Sequence, residues 1–170
     1  MAVTVTREPI KVLADILQTE LGLSAGRVMI ADEKFNIEQQ EGLYISLEYV
    51  GPSQVIANTN HYNPATDQEE QTQTTRFLVQ IDALSFDNSA RQRKEEISMA
   101  LTSMYSQRLQ EQYQCSIARM PGPVSDASSI ESMAMLKRYT QTVAITALTS
   151  KVKSAEYYDK FKTVEDHFNE

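Results

Sequence analysis

Cysteine, histidine and glycine are scarce in this sequence, and each scarcity removes a class of chemistry. Among 170 residues there is one cysteine, Cys115, so no intrachain disulfide can form. Its neighbours, Gln114-Cys115-Ser116-Ile117-Ala118, read as a strand, which makes a buried structural thiol the expectation. The two histidines, His61 and His167, have no second His or Cys at metal-ligand spacing and read as exposed polar side chains. The glycines Gly22, Gly26, Gly42, Gly51 and Gly122 make neither a P-loop nor a dinucleotide fingerprint, and there is no Gly-x-Ser-x-Gly elbow. No apolar run approaches the roughly 18 residues of a membrane helix. Met1 to Pro9 lacks the apolar stretch of a signal peptide, so synthesis in the cytoplasm is expected.

The net charge is −7, from 16 basic and 23 acidic residues. That argues against a general DNA-binding module, whose footprint is a basic patch, though DNA passing close to a repelling acidic wall stays compatible. The carboxylate pairs Glu69–Glu70, Glu95–Glu96 and Glu165–Asp166 are adjacent in sequence. Adjacent side chains diverge on a helix and point to opposite faces of a strand, so no coupled acid–base pair is expected. Serines are frequent in Ser125–Ser132, but no histidine lies near them in sequence. No enzyme, metal site or cofactor is expected.

The length suits one domain, 1–170. Pro9 at a first helical position, the stripe Ile10, Leu13, Leu17 and Leu21, and Gly22 as a stop define a helix over Ile10–Leu21. A short strand follows at Arg27–Ala31, then a polar connection, Asp32–Asn36. In Leu43–Val50, Leu43, Ile45, Leu47 and Tyr49 share one strand face, and Gly51-Pro52 reads as a turn pair. Thr72–Leu84 is a long half-buried strand. Ser89-Ala90-Arg91-Gln92 offers a capping box to a long helix reaching Gln114, with the stripe Ile97, Leu101, Met104, Tyr105 and Leu109. Arg91, Arg93 and Lys94 sit in its first turns, where cations are disfavoured; a solvated face or an acidic neighbour accounts for them. Gln114–Arg119 reads as a strand, Val124–Ile130 as a loop and Met133–Leu136 as a short apolar turn. Lys137–Lys151 alternates, with Tyr139, Gln141, Val143, Ile145 and Ala147 on one face, and its Thr, Val and Ile content favours strand.

The expected class is therefore α+β: a mostly antiparallel sheet packed by an N-terminal helix and a long central helix. Residues 53–84 are expected to form a projecting β-hairpin with an apolar root and a polar tip, Asn58 to Gln73. Two strands alone are marginal, so such an arm is expected to order against a neighbour. The tail, 152–170, carries Tyr157, Tyr158, Phe161 and Phe168 and fits docking on its own core or on another subunit.

Size, element order and texture together resemble the tail terminator (neck terminator, or tail completion) proteins of long-tailed bacteriophages. The segment Phe77–Ile97, FLVQIDALSFDNSARQRKEEI, carries the resemblance most strongly, as strand, Asp, polar turn and helix. The helix Ile10–Leu21, the paired strands around Ser53–Tyr62 and Thr72–Leu84, and the late strand Tyr139–Thr149 extend it over most of the chain. The resemblance implies a virion protein at the head–tail junction, assembled in the host cytoplasm. It implies a homo-hexameric ring that caps the tail tube protein, meets the neck or head-completion connector and, in contractile tails, the sheath protein. DNA passes through the lumen without tight binding. It implies no cofactor and no catalytic residue. On this reading Asn58, Asn60, His61, Asp67, Glu69 and Glu70 belong to the assembling and lumen-facing arm. Tyr157, Tyr158, Phe161 and Phe168 belong to contacts between subunits. The readings kept beside it are another neck component, a small α+β enzyme and a non-viral adaptor domain.

Overall fold

The structure is a computed structural model that describes residues 2–4, 7–31, 41–131 and 134–154. In chain order the elements are β1 (Ala2–Thr4), α1 (Pro9–Glu20), β2 (Val28–Ile30), β3 (Tyr44–Tyr49), β4 (Gln54–Asn63), β5 (Gln68–Ser85), α2 (Ser89–Leu101), α3 (Met104–Gln112), β6 (Cys115–Ile117), β7 (Ser125–Asp126), β8 (Ser129–Glu131) and β9 (Ala134–Ser154). The connection 32–36, Met133 and the tail from residue 155, with His167, Tyr157, Tyr158, Phe161 and Phe168, lie outside the described residues.

The axis of the fold is the antiparallel pair β5–β9. It runs without a register shift from Gln68↔Ser154 to Ser85↔Lys137. On the free side of β5, β3 pairs with Leu84–Val79 and β4 with Arg76–Gln68. β3 and β4 thus run in line along the same edge of β5, with β2 parallel outside β3. On the far side of β9, residues 115–131 pair along its first two-thirds as β6, β7 and β8, and β1 pairs near its end. The fold is α+β with a mostly antiparallel sheet, as expected.

Gly51-Pro52 corrects one expectation. The pair does not reverse the chain; it interrupts a strand that resumes along the same partner. Gly51 takes φ +76°, a region open to glycine, and Pro52 has no N–H to give the ladder. Val50 N–H still reaches Leu78 O at 2.9 Å.

One sheet face holds the core. Leu43, Ile45, Leu47, Val79, Ile81, Ala83, Tyr139, Val143 and Ile145 bury against Ile10, Val12, Leu13, Ile16 and Leu17 of α1 and Ala90, Ile97, Ala100 and Leu101 of α2. The alternation read in Leu43–Tyr49 and Tyr139–Ala147 is the alternation that packs. Tyr44, on the opposite face, is buried as well, with Met29, Leu84 and Leu136 in a second small cluster. α1 starts with Pro9 at its N-terminus, and Ile10 N–H donates to Tyr49 Oη at 3.3 Å. It ends at Gly22, φ +61°, where Leu23 N–H returns to Gln18 O at 2.9 Å, satisfying an end carbonyl.

The expected long central helix is two helices. At Ser103 the backbone turns extended and its hydroxyl accepts from Ser106 N–H at 3.0 Å, so a new helix begins. Serine at that position competes for the backbone as a cap rather than continuing the helix. The break takes Met104 out of the expected stripe, to 74% exposure, and leaves Tyr105 exposed.

The capping box at Ser89 is also corrected. Asn88 is the N-cap and offers no side-chain bond. Instead Asp87 accepts from Ser89 N–H at 2.8 Å, from Ser89 Oγ at 2.9 Å and from Gly42 N–H at 3.0 Å. Ser85 Oγ accepts from Ala90 N–H. Arg93 meets neither bulk solvent alone nor only an acid: it donates to Leu21 O at 2.7 Å and pairs with Glu96. Its charge therefore sits at the C-terminal end of α1, where a cation is favoured. Val124–Ile130 and Ala134–Leu136, read as loop and turn, carry strand pairing as β7, β8 and the start of β9. Residues 152–154, expected in the docking tail, belong to β9. Cys115 is half-buried and free, and burial pushes its thiol pKa up, which fits the structural role.

Candidate functional site

Helices cover only half of the β5–β9 ribbon. The core residues of β5 begin at Val79 and those of β9 lie between Tyr139 and Ala147. Beyond them the ribbon continues as strands with water on both faces. Every residue of β4 is exposed. This uncovered half is the arm, and it corrects the projecting hairpin in one respect. It is not two strands but at least three, because β9 pairs with β5 residue for residue to the tip, with β1 alongside at Val152, Lys151 and Ser150. Added strands overcome the marginal stability of a lone hairpin.

The tip is built from its own polar groups. Asn63 Oδ1 accepts from Ala65 N–H at 3.0 Å, a side-chain mimic of a turn. Tyr62 Oη donates to Asp67 Oδ1 at 2.9 Å. Asp67 sits at φ +49°, a conformation that Asp tolerates better than most residues.

Register sorts the expected arm residues onto two faces. Asn58, Asn60 and Tyr62 stand opposite Gln73, Gln71 and Glu69, on the face that continues the helix-covered one. His61 stands opposite Glu70, and Glu70 opposite Val152, on the other face. Asp67 lies in the turn. The six residues are thus gathered at one end of the ribbon but do not converge on one point.

β9 changes the electrostatics of this end. It brings Lys151 and Lys153 beside the acids: Lys153 Nζ lies 2.9 Å from Glu69 Oε2, and Gln71 Nε2 donates to Glu69 Oε1. Lys153 and then Gln71 hold the Glu69 carboxyl below its usual range. Lys153, distant in sequence, thus offsets the charge of Glu69, while Glu70 lies on the other face and Asp67 in the turn. His61 is exposed, as expected.

The edge of β4 is the chemically open feature. Among the described residues β4 pairs only with β5, so no further strand lies along its outer edge. Its one irregularity is a bulge between Val55 and Ala57. Val55, Ile56 and Tyr62 are each about half exposed, at 53%, 53% and 50%.

Clefts also lie elsewhere. An apolar groove of about 330 Å³ at the arm's root is lined by Pro9, Tyr49, Phe77 and Leu78. A cleft of about 480 Å³ is lined by Arg91, Lys94, Asp126, Ser128, Lys137 and Tyr139. There Asp126 accepts from Ser128 N–H at 3.0 Å and from Ser128 Oγ, so the serine-rich stretch makes a turn. Among the described residues no group of three or more His, Cys, Asp or Glu is placed to hold a metal. No helix among them is long and apolar enough to cross a membrane. No family model matches the chain, and no curated protein matches it.

Proposed function

We propose that the chain is a structural virion protein: a ring-forming tail terminator that caps the tail tube of a long-tailed phage and meets the neck. The observation that carries this reading is the arm. A ribbon with polar faces and a ten-residue strand exposed along its whole length adds no fully buried side chain to the core. Such an edge is a template for another strand, and rings are built from contacts of that kind between copies. The resemblance of Phe77–Ile97 to these proteins supplies the identity of the ring. Its partners on this reading are further copies in a hexamer, the tube protein and the neck connector, with DNA passing through the lumen.

The test is negative-stain microscopy of the purified protein added to polymerising phage tail tube protein. The expected result is tubes that stop at a ring with a central hole of duplex width. Tubes that elongate unchanged while the protein stays in solution would remove the reading.

A further inference from the structure

We infer that in the free protein the edge of β4 pairs antiparallel with β4 of a second copy, about a two-fold axis at Thr59. This deepens the reading above, and rests on it for its purpose: it names what covers the arm before a ring is built.

The strand carries the argument. Natural sheet edges are blunted by charged side chains, proline, shortness or a bulge, and of these β4 has only the bulge at Ile56, near its root. β4 has ten residues, Gln54-Val55-Ile56-Ala57-Asn58-Thr59-Asn60-His61-Tyr62-Asn63, with no Lys, Arg, Asp, Glu or Pro among them. Nothing in it repels a like strand.

The sequence is also nearly symmetric in character about Thr59. Asn58 answers Asn60, Ala57 answers His61, Val55 answers Tyr62 and Gln54 answers Asn63. The bulge is what makes this symmetry usable. Directly opposed residues must share a face. Val55 stands opposite Thr75 and Tyr62 opposite Glu69, both odd positions of β5, so they share a face only because Ile56 is an extra residue. With Ile56 in the bulge, a two-fold axis perpendicular to the sheet at Thr59 sets Val55 against Tyr62 of the second copy. It sets Asn58 against Asn60, and each Thr59 against the other. Half-exposed apolar side chains then cover one another, as a β-branched–aromatic pair. The outer edges of both strands gain a ladder of backbone bonds. A foreign strand would have to match this pattern; a second copy does so by construction.

A two-fold contact is closed and adds no third copy. It therefore hides the edge, and a ring contact through the same edge has to displace it. The free protein is held from polymerising until a tube end offers a better partner.

The test uses the full chain with Cys115→Ser, so that an introduced cysteine is the single thiol. Cα atoms directly opposed across an antiparallel pair lie about 4.5–5.5 Å apart, within disulfide range. Thr59→Cys is expected to give a disulfide-linked dimer on mild oxidation. Gln54→Cys places its two copies about 25 Å apart and is expected to stay unlinked. Thr59→Lys sets two like charges on the axis and is expected to sediment as monomer where the parent is a dimer. Equal linking of the Gln54→Cys and Thr59→Cys chains, or no linking of Thr59→Cys, overturns the inference. So does a parent that stays monomeric up to about 1 mM, which limits any pairing to about 4 kcal/mol. Rings on tubes from a Thr59→Cys chain that never cross-links would sink the pairing and leave the terminator reading. A cross-linked Thr59→Cys dimer whose reduced form never caps tubes would do the reverse.

Discussion

Asp82 and Arg138 meet at 2.6 Å on the sheet face away from the helices, although register sets Asp82 against Thr140. The pair is diagonal, and Asp82 is its buried member at 5% exposure. Thr140 Oγ1 and Gln80 Nε2 also donate to it, at 2.7 Å and 3.1 Å. This one carboxylate joins three side chains on two strands.

Asp82→Ala is therefore expected to destabilise the fold by about 2–3 kcal/mol. Removing it leaves several donors unmatched in a partly buried setting; the solvent reaching Arg138 keeps the loss below that of a fully buried pair. Urea denaturation of Asp82→Ala and Arg138→Met measures it, with the smaller loss expected for Arg138→Met. Equal and negligible losses would show the cluster to be incidental.

Asp87 gives an acid-side prediction. The bonds from Ser89 backbone and side chain hold its pKa below the ordinary value. Its folded pKa is thus lower than its unfolded one, so its stabilisation is full above the unfolded value of about 3.9. It is lost as pH falls through the folded value. Asp87→Ala is expected to cost about 1 kcal/mol at neutral pH, as for a lost helix cap. The parent's stability should fall more steeply than the variant's as the pH drops below about 4. Parallel pH profiles would contradict this.

The break between α2 and α3 depends on Ser103. Ser103→Ala is expected to lose about 1 kcal/mol. Ser89→Ala is expected to lose less, because the Ser89 hydroxyl donates to Asp87 rather than accepting from a helix-end N–H. Denaturant midpoints of the two variants rank them.

Shortening the arm separates folding from assembly. Replacing residues 60–71 by Asn-Gly joins Thr59 to Thr72, which are already paired, through a two-residue turn suited to a hairpin. None of the fully buried side chains lies in that stretch. The variant is expected to unfold within about 1 kcal/mol of the parent and to lose tube capping. Loss of folding would show that the arm also supports the core.

Local patterns were legible where one face of an element packs and the other does not. The alternation of Tyr139–Ala147 and the stripe of α1 announce themselves for that reason. Three features were not legible because they depend on partners remote in sequence or on a single hydroxyl. Gly51-Pro52 signals an interruption, but whether the chain reverses there depends on one edge of β5 accepting both the strand before it and the strand after it. The stripe Ile97–Leu109 reads as one helix because Ser103 acts through its hydroxyl, without disturbing the apolar spacing. At the candidate site, the polarity of Asn58–Glu70 marked an exposed tip correctly. The partner of Glu69 was not legible, since Lys153 enters from a strand some eighty residues later.

The unbroken β5–β9 ladder has a mechanical consequence. The 18 residues of β5, at about 3.3 Å each, reach about 60 Å, from the tip turn to the threshold of α2. A pull along the arm loads the cross-strand bonds side by side, in shear, rather than one after another as in unzipping. Force received at Asp67 is thus delivered to the strands beneath α1 and α2 without a compliant joint between them. The arm and the helix-packed body move as one strut.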